Sequence, residues 1–165
     1  MEFDSDCTIR DDLKPGDIGY LIHLQAEHYH KEFGYDLEFE ALIARLFSDF
    51  VMRNDPKERL WIVEYKNRIV GSIGIFGENE TTARLRLLFL HPDIRGKGFG
   101  NKLVKLATDY AEDAGYSSVV LMTEDILEAA GKIYKDQGYH LIKSEEKVMW
   151  GVRCLLQKYE KKLHR

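Results

Sequence analysis

Apolar residues recur at intervals of three and four along four stretches of this chain, and in short runs or alternations along seven others. The first spacing is that of one helical face, the second that of strands. Ile18, Leu21, Ile22, Gln25, Ala26, Tyr29 and Phe33 form one stripe; Phe39, Leu42, Ile43, Leu46, Phe47, Phe50 and Val51 form another. A third holds Leu103, Leu106, Ala107, Tyr110, Ala111 and Ala114, and a fourth Ile126, Ala129, Ala130, Ile133 and Tyr134. Strands are predicted over residues 7–10, 60–65, 68–76, 82–90, 119–122, 139–143 and 152–159. Asp17 and Asp36 are expected to cap the first two helices, and Gly34, Asn54-Asp55-Pro56, Gly115 and Gly138 to end helices. Lys66-Asn67 reads as a two-residue hairpin turn, and Gly71 and Gly74 as a bulge or close packing. Glu145-Glu146-Lys147 reads as a polar link and Lys161-Lys162 as a frayed tail.

The order of these elements sets the topology. Three strands joined by short turns make an antiparallel meander, and the helix after residue 100 then forces a crossover. The strand at 119–122 should therefore run parallel to that at 82–90. The expectation is one α/β domain over residues 1–165, with a mixed, mostly antiparallel sheet of about seven strands flanked by helices.

Composition narrows the class. At 165 residues, 44% hydrophobic and 32% charged, the chain fits a soluble domain with a sizeable core. A net charge of −4 supplies no broad field for nucleic acid. Cys7 and Cys154 make neither a disulfide framework nor a zinc spacing, and both are expected reduced. The acidic residues 1–6 are the opposite of a signal peptide, and no apolar run nears the roughly 20 residues of a membrane span. These features point to a cytoplasmic protein without nucleic-acid or membrane partners. His23, Glu27 and His30 share a helix face, but their order matches no metalloprotease spacing, and a solvated face is the plainer reading. No metal is expected.

Candidate chemistry concentrates at Arg95-Gly96-Lys97-Gly98-Phe99-Gly100, between a strand end and a helix start. The first N–H groups of a helix lack intrahelical partners and carry partial positive charge, and glycines let an anion approach them. A phosphate or pyrophosphate is the expected guest; the plainer alternative is a tight strand-to-helix turn. Asn101-Lys102 replaces the Lys-Ser/Thr of a Walker loop, and the G-x-G-x-G spacing is not a dinucleotide fingerprint.

The loop instead resembles the R/Q-x-x-G-x-G/A signature of the GCN5-related N-acetyltransferases (GNAT). The apolar strand before His91-Pro92 resembles that family's L-x-V-x-P strand, and residues 130–139 resemble its A-x-x-x-Y-x-x-x-G-F/Y segment. Residues 16–23 are similar to the start of the acetyltransferase half of bacterial proteins that carry a MarR-type DNA-binding domain. The resemblance implies the GNAT fold, with acetyl-CoA as cosubstrate and its pyrophosphate on residues 95–100. It also implies that Leu88, Phe89 and Leu90 pair with the pantetheine arm through their backbone, and that Tyr134 protonates the departing thiolate. A small or amino-acid-like amine is the implied acceptor, attacking directly. A protein or peptide acetyltransferase and a silent acyl-CoA-binding regulator are the alternatives, and a homodimer is open to it. The chain departs from the family pattern at Leu127, where many members have Asn. It also carries Arg84 and Arg86, with no carboxylate, on the strand that bears the base in some members. Base candidates are therefore Glu27, His23, Glu124 and Asp125. Arg84 and Arg86 are open to cross-strand pairing or to holding a substrate carboxylate.

Overall fold

The computed structural model describes residues 2–4 and 6–164, with side chains from residue 6 onward. Met1 and Ser5 of the acidic leader lie outside the described residues. One eight-stranded sheet runs in the order β1 (Glu2–Asp4), β2 (Cys7–Arg10), β3 (Arg59–Tyr65), β4 (Arg68–Gly77), β5 (Thr82–Leu90), β6 (Ser118–Glu124), β8 (Val152–Lys162), β7 (His140–Met149). Every neighbouring pair is antiparallel except β5–β6, which is parallel. The seven expected strands are all present, and β1 adds an eighth at the edge. Lys66 and Asn67 sit at φ 50° and 64°. This left-handed pair matches the right-handed twist of the strands and sets Tyr65 opposite Arg68.

Helices α1 (Asp17–Phe33) and α2 (Leu37–Arg53) bury Leu21 and Phe47 against Leu60 and Ile62 of β3. A larger core packs Leu103, Val104 and Ala107 of α3 (Phe99–Asp113) against Ile73, Ile75, Leu85 and Val119. Tyr134 of α4 (Glu128–Asp136) belongs to that same core. A third cluster of Tyr35, Phe39 and Ile43 joins Tyr29 and Trp150 beside the first two helices. Among the described residues no helix is long and apolar enough to cross a membrane.

Four local expectations need correction. Asp17 does not cap α1; Gly16 does, at φ 98°. The Asp17 carboxylate instead accepts from Arg10 Nη1 and Nη2 (2.8 and 2.9 Å) and from the Lys14 amide (2.7 Å). Arg10 thereby holds this acid below the usual carboxylate range and clamps α1 to β2. Val51 is 45% exposed, so the stripe on α2 stops short of it. Residues 145–147 are not a link but the middle of β7, with Lys147 opposite Cys154. An edge strand has solvent along one side, so charges are tolerated there and discourage further pairing. The reversal falls at Trp150-Gly151, both at positive φ. Lys161 and Lys162 are not frayed; Lys162 pairs with Ser118 and Lys161 Nζ donates to the Gln137 carbonyl at 2.7 Å.

Gly71 fills a tight spot. A Cβ there would lie against the Phe89 carbonyl oxygen, so only glycine lets β4 approach β5 so closely at this point.

Candidate active site

Parallel strands β5 and β6 pair only at Thr82–Ser118, Ala83–Val119 and Arg84–Val120. Beyond Arg84 they part, although β5 continues to Leu90 and β6 to Glu124. The cause lies in β5. Residues 86–89 face residues 72–74 of β4, so four residues oppose three and the strand bulges. Leu87 takes up the excess at φ 60°, a left-handed conformation that costs an L-residue about 1–2 kcal/mol. Its surroundings compensate. The Leu87 side chain packs against both clusters on the α1–α2 side, and its carbonyl accepts from Ser72 Oγ at 2.6 Å. Gln25 Nε2, also buried, donates to that Ser72 oxygen at 3.0 Å. The next carbonyl, of Leu88, accepts from the Tyr29 hydroxyl at 3.3 Å.

Two cavities flank the parting, and Tyr29, Leu88, Leu127 and Ala130 line both. The first, of about 580 Å³, runs along Leu88, Phe89 and Leu90 to Arg95, Gly96, Gly98, Phe99, Gly100 and Asn101. Gly96 and Gly98 have φ 76° and 83°, and a Cβ at either would meet open space. The first bond within α3 runs from Lys102 N to Gly98 O at 3.2 Å. The amides of Gly100 and Asn101 lie ahead of it and find no acceptor inside the helix. This glycine cradle at a dipole-positive helix end, continuous with an apolar channel, fits a diphosphate with a long thin tail. Arg95 staples the mouth: its Nε donates to the Leu90 carbonyl (2.8 Å) and its Nη1 pairs with Glu32 Oε2 (2.7 Å).

The second cavity, of about 320 Å³, is lined by Arg45, Arg84, Arg86, Glu124, Tyr134 and Trp150, among others. Glu124 ends β6 and is 7% exposed; the Tyr35 hydroxyl donates to its Oε1 at 2.8 Å. Burial raises its pKa, outweighing the Tyr35 hydrogen bond. Tyr134 is 5% exposed, with its ring 6.1 Å from that of Tyr139 and 6.2 Å from that of Tyr159. Burial first, then Tyr29, Tyr139 and Glu124, push this phenol well above the ordinary tyrosine value, so it stays protonated. The neighbouring Tyr139 is pushed up to about 12 by burial, against a 2.7 Å hydrogen bond with Thr108.

Most of the expected residues converge here, and two do not. Leu88, Phe89, Leu90, Arg95, Gly96, Gly98, Phe99 and Gly100 line the first cavity, and Tyr134 the second. Lys97 does not line the cavity; its ammonium sits 5.3 Å from the Tyr65 ring centroid. Glu27 is on the outer face of α1, outside both cavities, bound to Lys31 Nζ at 3.0 Å and His23 Nε2 at 3.4 Å. The Lys31 hydrogen bond lowers its pKa, so an exposed, stabilised carboxylate is a poor base. His23 shares its surface position, and Asp125 is engaged by the Leu155 amide at 2.7 Å. Of the four acid–base candidates only Glu124 faces the cleft. The tyrosines and histidines clustered at residues 20–30 hint at an acceptor wall on the first helix, and Tyr29 does line both cavities. Sequence reasoning missed Glu32 and Arg45, because helix periodicity does not separate a cleft wall from a solvated face, and Tyr35, which lies between α1 and α2. Among the described residues no cluster of three or more His, Cys, Asp or Glu side chains is arranged to hold a metal ion.

Comparison with known proteins gives concordant results. The model of the acetyltransferase (GNAT) family matches residues 21–139. The chain is 32% identical over 92 residues to the uncharacterized N-acetyltransferase YjgM of Escherichia coli, covering 54% of this chain and 55% of that protein. It is 33% identical over 84 residues to human N-acetyltransferase 8B, covering 48% and 37%. An uncharacterized N-acetyltransferase of Schizosaccharomyces pombe is 30% identical over 116 residues, covering 68% of this chain and 71% of that one. The chain thus spans about half or less of the first two relatives. Among solved structures, yncA of Salmonella typhimurium, with its cofactor acetyl-CoA, superposes at TM-score 0.75 with 16% identity, covering 97% and 95%. An N-acetyltransferase from Staphylococcus aureus Mu50 does so at 0.78 with 16% identity, covering 97% and 100%.

Proposed function

The chain belongs to the GNAT acetyltransferase family, and from that premise we propose that it moves an acetyl group from acetyl-CoA to a primary amine by direct attack, the acceptor being a small or amino-acid-like molecule. The observation that carries this reading is the parting of β5 from β6 at the Leu87 bulge. It joins a diphosphate cradle to a small second chamber that holds a buried acid and a buried phenol. The likeness of residues 16–23 to MarR-type fusion proteins belongs to the same proposal and bears on α1 alone.

Acetyl-CoA supplies an activated acyl thioester. The backbone at Gly96, Gly98, Gly100 and Asn101 would hold its diphosphate end, and the edge of β5 at residues 88–90 would pair with its amide-bearing arm. A backbone N–H at the bulge would lie within reach of the thioester carbonyl, where a fixed donor steadies developing negative charge. Glu124 takes the proton that the ammonium must lose before its nitrogen can attack; a carboxylate with a raised pKa is the stronger base. Tyr134 gives its phenol proton to the sulfur as the C–S bond breaks, and regains one through the cleft. Burial, then Glu124 and Asp125, keep Cys154 above the usual thiol range. Cys154 lines neither cavity, which supports direct attack over an acyl-cysteine route.

Calorimetry with acetyl-CoA and thiol release with a panel of amines test the proposal together. Heat without thiol release from any amine leaves a binding protein and refutes the transferase. Tyr134→Phe should lower kcat about 10²-fold while the Kd for CoA stays within about twofold. Unchanged turnover would remove Tyr134 as the acid.

A further inference from the structure

Three arginines share the second cavity with a single acid, Glu124. Arg84 and Arg86 are two residues apart ahead of the bulge, so both project from the same face of β5; Arg45 comes from α2. Four arginines outside the cavity are closely neutralised, whereas Arg68 and Arg153 have no carboxylate within 4.0 Å among the described residues. Arg10, Arg53, Arg59 and Arg95 each have a carboxylate oxygen within 2.9 Å. In the cavity Arg84 reaches only Glu78, at 3.6 Å. Among the described residues no carboxylate lies within 4.0 Å of Arg86 or Arg45. Arg86 is nonetheless half-buried; burial, then the nearby Arg84 charge, lower its pKa, with Arg53 adding to this and the more distant Glu78 and Glu58 carboxylates opposing it only in part. A partly desolvated guanidinium beside a like charge is unfavourable unless an anion arrives to accept from it.

We infer that the acceptor is an amine bearing a carboxylate, with its carboxylate on Arg86, Arg84 and Arg45 and its ammonium toward Glu124. This rests on the acetyltransferase reading for which chamber takes the acceptor. The match is one of charge order: a small zwitterion presents both signs, as the chamber does. A chamber of about 320 Å³ with walls from Phe39, Leu42, Ile43 and Trp150 accommodates an amino acid with an apolar side chain. A polyamine would set its extra cations against three guanidiniums.

The test is thiol release from acetyl-CoA with L-leucine, L-phenylalanine and L-glutamate, their α-carboxamides, spermidine and O-phosphoethanolamine. At least one free acid should exceed its carboxamide by about tenfold or more in kcat/KM, and Arg86→Met should collapse that preference. The loss should lie in KM for the acid, with acetyl-CoA affinity retained, and Arg86→Lys should restore part of it. If Arg86→Met does not fold, Arg84→Met serves in its place. Faster reaction of carboxamides, spermidine or phosphoethanolamine overturns the carboxylate assignment and leaves the transferase reading standing. If CoA binds but no amine releases thiol, the transferase reading fails, and calorimetry of L-leucine into CoA-saturated protein decides the site. Heat abolished by Arg86→Met upholds it; no heat overturns it.

Discussion

Replacing Glu124 with glutamine should lower kcat at neutral pH by about 10²- to 10³-fold while acetyl-CoA still binds. The amide keeps an oxygen for the Tyr35 hydroxyl, now 2.8 Å from Oε1, so the geometry survives while the basic lone pair is lost. The pH dependence has a definite sign. Burial raises the Glu124 pKa, so the base becomes protonated, and turnover falls, at a higher pH than for an ordinary carboxylate. That acid limb should vanish in the variant, leaving only the titration of the amine. Stability should move the other way. A folded-state pKa above the unfolded value stabilises the fold below the unfolded pKa, and this is lost as pH rises through the folded one. Wild type carries a buried charge above that point and the variant does not. Thermal unfolding at pH 8 should therefore show Glu124→Gln at least as stable as wild type, which separates a catalytic defect from a folding one. Full turnover by the variant would return the search to water or to the bulk solvent as base.

The largest effect on stability is expected from Phe47→Ala. Phe47 is fully buried among Leu21, Leu60 and Ile62, and Leu87 and Phe50 pack on the same cluster. Truncation removes a ring from a site with little room to collapse, at about 3–5 kcal/mol. For a domain of this size, that is a fall in Tm of roughly 6–20 °C. The position matters beyond its cost, because this cluster is one of two that hold the left-handed Leu87. Acetyl-CoA affinity measured well below the new Tm should drop as well, whereas an equally buried deletion far from the bulge should spare it. Retention of full stability would mean that α2 repacks over the gap.

What could be read in the chain and what could not divides by range of interaction. The Lys66-Asn67 turn, the Asp36 cap and the glycine cradle at 96–100 are local. Their residue types fix backbone geometry within four or five positions, and the structure has them as expected. The parallel placement of β6 followed from chain order and helix handedness alone. Leu87 is different: nothing in L-L-F-L marks which leucine will turn left-handed. That is decided by Ser72 and Gln25, residues 15 and 62 positions away. Glu27 and Glu124 look alike as letters, and only burial separates a surface carboxylate tied to Lys31 from one enclosed at a strand end. The expected end of the strand at residue 143 falls short of Met149 for a similar reason. Glu145 to Lys147 break the apolar alternation, yet an edge position needs little apolar burial to keep its ladder.

The surplus residue in β5 also bears on attempts to improve this protein. Deleting one position from residues 86–89 would restore plain alternation, relieve the unfavourable torsion and let two neighbouring strands zip along their whole length. A sturdier molecule would follow, and, on the proposed function, a blind one, since the gap between β5 and β6 would be sealed by its own hydrogen bonds. Selection for heat resistance alone would thus press toward inactive sequences, and any library at these four sites needs a turnover screen beside the melting curve.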